Sequence, residues 1–170
     1  MVLPGGPATA YLGLGSNLGD RAALIAAALG ELEAAGVSVR ARAPLYETDP
    51  VTAELQPLFL NGAARVETTL LPDALLALCL AVERALGRDR PPGLASPAPR
   101  PIDVDLLLYG DVVIDRPGLV VPHPRLLERP FVRIPLADVA LPGLRHPVTG
   151  EPLDLAPPDP GVRRLAPERS

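Results

Sequence analysis

The chain has 170 residues, a formal net charge of −4, 48% hydrophobic and 3% aromatic residues. That length fits one domain able to bury a core without disulfides or a metal to hold it, and the acidic balance excludes a surface wrapped in basic charge for nucleic acid. All 16 basic residues are arginine, which excludes the lysine of a P-loop and a pyridoxal phosphate Schiff base.

The opening stretch MVLPGGPATA lacks a basic segment followed by an apolar one, so no signal peptide is expected. Residues 10–15 predict a first strand. GSNLGDR leads from it into an alanine-rich helix that ends at Gly36. The glycines of GLGSNLGDR suggest a dinucleotide fingerprint, but G-x-G-x-x-G starting at Gly13 needs glycine where Leu18 stands. A tight strand-to-helix turn is the expected reason for them. Residues 37–48, VSVRARAPLYET, alternate apolar and polar and predict a second strand, followed by a loop over 50–57.

FLNGAARVETT, residues 59–69, predicts a third strand, with Asn61 as a polar side chain between apolar neighbours. The stretch LPDALLALCLAVERALGR carries Leu75, Leu76, Cys79, Val82 and Leu86 at helical spacing, with Pro72 near its start and Gly87 at its end. Cys79 is the single cysteine and fits a small buried hydrophobe. The absence of a disulfide framework points to the cytoplasm, and no apolar run reaches the ~18 residues of a membrane span. A proline-dense loop over 88–100 carries Arg88, Arg90 and Arg100. Two short strands are expected over 112–115 and 119–121, then a turn and short helix over 122–139 containing His123, Arg129 and Phe131. Residues 141–170 hold seven of the 23 prolines and predict a mostly irregular C-terminal extension.

RPIDVDLLLYGD, residues 100–111, predicts the last core strand and poses the sharpest chemical question. Asp103 and Asp105 lie two residues apart, so on a strand both carboxylates share one face at roughly 7 Å. Like charges at that spacing repel by about 2.4 kcal/mol at an effective dielectric of ~20. A solvent-facing edge with two ordinary acids and a site for one or two Mg²⁺ ions both fit the spacing; the apolar flanks favour the second. The order β-α-β-β-α-β predicts an α+β, ferredoxin-like antiparallel sheet with helices on one face, within a single domain of residues 1–170 whose core spans about 10–140.

YLGLGSNLGDR, LYETDPV, FLNGAARVET, RPIDVDLLLYGD and VPHPRLLERPFVRIPLADV occur in an order and spacing that resemble the 6-hydroxymethyl-7,8-dihydropterin pyrophosphokinases of folate synthesis. The resemblance implies transfer of diphosphate from ATP to the pterin's hydroxymethyl group, leaving AMP, with two Mg²⁺ at Asp103 and Asp105. It implies that Asn61 hydrogen-bonds the pterin edge, helped by backbone around Thr48 to Val51, and that Phe59 and Phe131 stack on the ring. Arg88, Arg100 and His123 match residues at the ATP phosphates, with Arg129 on the same side. Glu83 matches an acid beside the nucleotide pocket.

The small molecules ATP and 6-hydroxymethyl-7,8-dihydropterin are the expected partners, with no nucleic acid or membrane, and a monomer is expected. One departure is plain. The family's R-W-G-P-R run is replaced by LASPAPR, with Pro97 and Ala98 at the tryptophan and glycine places, which predicts a stiffer loop over 88–100. Two other readings stay open: a pterin- or nucleotide-binding protein with lost or weak catalysis, and a different Mg²⁺-dependent small-molecule kinase. A metal-binding regulatory module would leave the histidine and phenylalanine pattern unexplained.

Overall fold

A computed structural model describes residues 6–49, 58–87, 101–155 and 159–165. The elements follow in the order β1 (Ala8–Ser16), α1 (Arg21–Ala34), β2 (Ser38–Arg42), β3 (Tyr46–Thr48), β4 (Phe59–Thr68), α2 (Pro72–Ala85), β5 (Asp103–Tyr109), β6 (Ile114–Arg116), β7 (Leu119–Val121), α3 (Pro130–Val139) and β8 (Val162–Arg164).

Local chemistry sets the helix limits. The Asp20 carboxylate accepts the Ala23 amide at 3.2 Å and caps the start of α1. At its other end Gly36 takes φ +95°, and the Val37 and Gly36 amides donate to Leu32 O and Glu33 O at 3.0 Å each. That is the Schellman pattern, which satisfies carbonyls the helix leaves without partners. Pro72 opens α2, where its missing N–H costs no helical bond.

The main sheet runs β5-β1-β4-β3-β8, with β2 also pairing to β4, and each pairing is antiparallel. The chain is therefore an α+β protein built on an antiparallel sheet. The second predicted strand is two strands, β2 and β3, both laid against β4. Pro44 stands in the break between them, and a residue without an N–H cannot continue the ladder.

Two apolar clusters sandwich the sheet. Leu12, Leu14, Leu60, Val66, Val104 and Leu106 pack with Ile25, Leu29 and Leu32 of α1 and Leu75, Cys79 and Val82 of α2. Tyr11, Ala63 and Leu107 face the other way and pack with Val132, Leu136 and Val139 of α3. Helices thus cover both faces rather than one, because β1, β4 and β5 present apolar side chains at successive positions. A sheet with apolar residues on both faces needs cover on both.

The segment beyond 140, expected to be irregular, has only short regular pieces among its described residues. It still contributes to the fold. Leu144, Leu153 and Leu155 pack against the α3 cluster, and β8 closes the sheet edge beside β3, with Tyr46, Glu47 and Thr48 opposite Arg164, Arg163 and Val162. Covering an exposed edge satisfies ladder groups that would otherwise invite foreign strands.

Candidate active site

Period-2 alternation along β5 buries Val104 and Leu106 on the α1/α2 side and leaves Asp103 and Asp105 half-buried on the α3 side. Register then carries this face across the sheet. Asp103 lies opposite Gly15, Gly15 opposite Asn61, and Asn61 opposite Tyr46. One step along, Asp105 lies opposite Gly13 and Gly13 opposite Ala63. With strands ~4.8 Å apart, the carboxylate row and the Asn61 row are separated by about 10 Å of sheet, and the strand between them carries only glycine at the facing positions.

The two glycines correct the expectation that a turn explains them. Both lie inside β1, and neither has positive φ; the glycine that turns the chain into α1 is Gly19, at φ +78°. A Cβ on Gly15 would stand 2.8 Å from Asn61 Oδ1, whereas one on Gly13 would meet Leu107 side-chain atoms at 3.4 Å.

Asn61 is 7% exposed, and its Nδ2 donates to Thr48 Oγ1 at 2.6 Å. Phe59, two residues earlier on β4, shares its face and lies opposite Thr48. Phe131 stands at the start of α3, half-buried against the α3 cluster, with the Arg129 guanidinium 5.6 Å from its ring centre.

His123 reaches the site through the chain between β7 and α3. Its amide donates to Leu107 O at 2.9 Å, tying it to β5. Its Nδ1 accepts the Arg125 amide at 3.1 Å, so the neutral ring carries its proton on Nε2. Burial lowers its pKa from the ordinary 6.5; the Asp105 charge opposes that, and Arg129 and Arg125 add to it. His123, Asp105 and Arg129 therefore act within one another's electrostatic reach.

Glu83 occupies a different place. It is buried on α2, behind β5, with the Val104 amide donating toward Oε2 at 3.5 Å, so it supports from below the residue that separates the two aspartates. Arg88, Arg100 and Val51 lie outside the described residues, as does the loop over 88–100.

Among the described residues no group of three or more His, Cys, Asp and Glu is placed to hold a metal by itself. A pair of hard carboxylates on one face, opposite bare glycines, nonetheless fits Mg²⁺. That ion binds through one or two carboxylates and completes its shell with water and substrate phosphates.

Some of the site's supports are not among the residues its sequence motifs single out. Ser16 and Asn17 are 0% and 1% exposed, buried polar residues at the end of β1. The Arg21 guanidinium donates to Leu58 O at 2.9 Å and to Glu47 Oε2 at 3.1 Å, joining the start of α1 to β3 and to the residue before β4. The run S-N-L-G-D-R carries the signal, since polar residues buried at the end of a mostly apolar strand are poorly explained by solvent alone.

Fold and site together define an α+β protein with a carboxylate-bearing surface on one face of an antiparallel sheet. Residues 11–141 match the family model of 7,8-dihydro-6-hydroxymethylpterin-pyrophosphokinase. The chain belongs to this family.

It is 46% identical over 132 residues to 2-amino-4-hydroxy-6-hydroxymethyldihydropteridine pyrophosphokinase of Methylorubrum extorquens, covering 77% of this chain and 82% of the relative. The Bacillus subtilis protein of the same name is 44% identical over 131 residues, covering 76% and 77%. The folic acid synthesis protein fol1 of Pneumocystis carinii is 41% identical over 140 residues, which span 82% of this chain and 18% of that longer protein. A solved structure of an HPPK-DHPS protein in complex with substrates shares the fold, with a TM-score of 0.67 at 13% identity over 87% of this chain and 42% of that one.

Proposed function

We propose that the protein transfers diphosphate from ATP to the hydroxymethyl group of 6-hydroxymethyl-7,8-dihydropterin, giving the pterin diphosphate and AMP in folate biosynthesis. The observation that carries this reading is the cross-strand row Asp103–Gly15–Asn61. It supports a pterin held at its amide edge by Asn61, with its hydroxymethyl arm reaching across the bare strand toward the carboxylates.

Asp103 and Asp105 would hold two Mg²⁺ ions. When bound, these neutralise the triphosphate and stabilise charge at the transferring phosphorus. The chain's own task is positioning, which can supply ~7–11 kcal/mol of the barrier in well-oriented reactions. Asn61, held by Thr48, orients the ring, and Phe59 and Phe131 confine its flat faces. The Nε2–H of His123 is the remaining donor of a neutral imidazole and suits a phosphate oxygen as its acceptor. Arg129 adds positive charge on the same side, and Arg88 and Arg100 bring the remaining charge to the phosphates. Glu83 braces β5 from behind.

The strand order β5-β1-β4 followed by β2 and β3 supports a ferredoxin-like topology in which the second strand is broken in two. Residues 1–170 act as a single catalytic domain, with 141–170 as its extension, in a cytoplasmic monomer.

The test is a nucleotide assay. Purified protein, pterin, ATP and Mg²⁺ are mixed, and ATP, ADP and AMP are separated over time, with Asp103→Ala in parallel. AMP that requires pterin and metal and disappears in Asp103→Ala is the expected result. ADP would establish a different kinase, and pterin binding without turnover would establish a binding protein.

A further inference from the structure

We infer that Gly15 is a positioning residue for Asn61: the absence of a side chain at Gly15 lets the Asn61 amide lie over β1, and this sets where Asn61 presents its hydrogen-bonding edge to a pterin. The inference rests on the pyrophosphokinase reading and adds a residue to that site.

Backbone freedom does not explain a glycine at this place. Gly15 is inside β1 and is not among the glycines with positive φ, and glycine weakens a strand interior. Close approach explains it. A Cβ on Gly15 would stand 2.8 Å from Asn61 Oδ1, with Leu60 O the next backbone atom at 3.9 Å, so the Asn61 amide alone would have to give way.

That amide is poorly placed to do so. It is 7% exposed and is held at Nδ2 by Thr48 Oγ1 at 2.6 Å. A side chain on Gly15 would therefore break the Thr48 bond or turn the amide away from the face it shares with Asp103. Gly13 offers the contrast: its Cβ would meet only flexible Leu107 atoms at 3.4 Å, an ordinary contact. Of the two, Gly15 is the one the site requires.

The experiment is a double-mutant cycle with Gly15→Ala, Asn61→Ala and the combined variant. Pterin affinity is measured calorimetrically in the presence of Mg²⁺ and a non-hydrolysable ATP analogue. Gly15→Ala is expected to weaken pterin binding about tenfold, with binding of the nucleotide analogue alone unchanged. The combined variant is expected to bind pterin no worse than Asn61→Ala, because the new methyl has no amide left to displace. Additive losses, or parental pterin affinity in Gly15→Ala, would overturn the inference. If Gly15→Ala fails to fold, the combined variant, relieved of the clash, is expected to fold; its failure would also overturn it.

A substrate-free readout separates this inference from the functional reading. The Asn61 side-chain amide protons, followed by NMR, are expected to exchange slowly in the parent and about tenfold faster in Gly15→Ala. Equal rates would sink the inference even where the parent makes AMP, and faster exchange would sustain it even where the parent does not.

Discussion

Thr48 and Asn61 meet on the face of the sheet that carries Asp103, with the Asn61 Nδ2 donating to the Thr48 hydroxyl at 2.6 Å in a buried setting. Thr48 ends a three-residue strand and Asn61 lies near the start of a ten-residue one. The bond therefore fixes a side chain of the long strand by means of the short one.

Thr48→Val keeps the shape and removes the acceptor. It leaves a buried amide donor without its partner, which costs ~1–3 kcal/mol. Urea unfolding is expected to show a loss in that range. Pterin KM should rise about tenfold while KM for ATP stays the same, and a parallel rise in both would contradict the assignment.

Arg21 joins α1 to β3 through Glu47 and to the residue before β4 through Leu58 O. Both side chains of the ion pair are less than a third exposed, at 29% and 27%, so solvent weakens the interaction only in part. Arg21→Ala is expected to cost ~1–2 kcal/mol in thermal or urea unfolding and to raise pterin KM. Arg21→Lys should recover only part of this, because an ammonium lacks the fork that reaches two acceptors at once.

Tyr46 donates its hydroxyl to Asp138 of α3 at 2.6 Å. Burial first, then this bond and the carboxylate charge, push the phenol from 10.0 up to about 12. The folded pKa lies above the unfolded one, so the associated stability is fully present below pH 10 and is lost as pH rises toward 12. The stability gap between the parent and Tyr46→Phe is expected to be constant from pH 7 to about 9.5 and to shrink above pH 10. A gap that grew with pH would show the sign to be wrong.

Cys79 is buried in α2, and burial, followed by the charges of Glu83 and Asp105, pushes its thiol from 9.0 up to about 12. The thiolate is the reactive form, so at pH 8 the folded protein holds on the order of a thousandfold less of it than a free thiol would. Iodoacetamide is expected to leave Cys79 unmodified in the folded protein and to alkylate it in urea. Labelling under native conditions would show local opening of α2.

Much of the site is legible in the amino-acid sequence because its signals are local. Two aspartates at i and i+2 inside an apolar strand share a face whatever lies beside them, since alternation is a property of the backbone. Likewise, Asp20 caps its own helix start, and Gly36 and Gly87 close their own helix ends, within a turn of chain. Relations between strands distant along the chain are a different matter. Gly15 and Asn61 are 46 positions apart, and only the β1–β4 register brings them opposite each other. Alternation along β1 alone cannot say which residue of β4 a glycine must clear. The placing of α3 on the face opposite α1 and α2 and the docking of β8 beside β3 are hidden for the same reason. Each depends on which surfaces remain unburied once the rest of the sheet has assembled, and that is settled by tertiary packing rather than by local propensity.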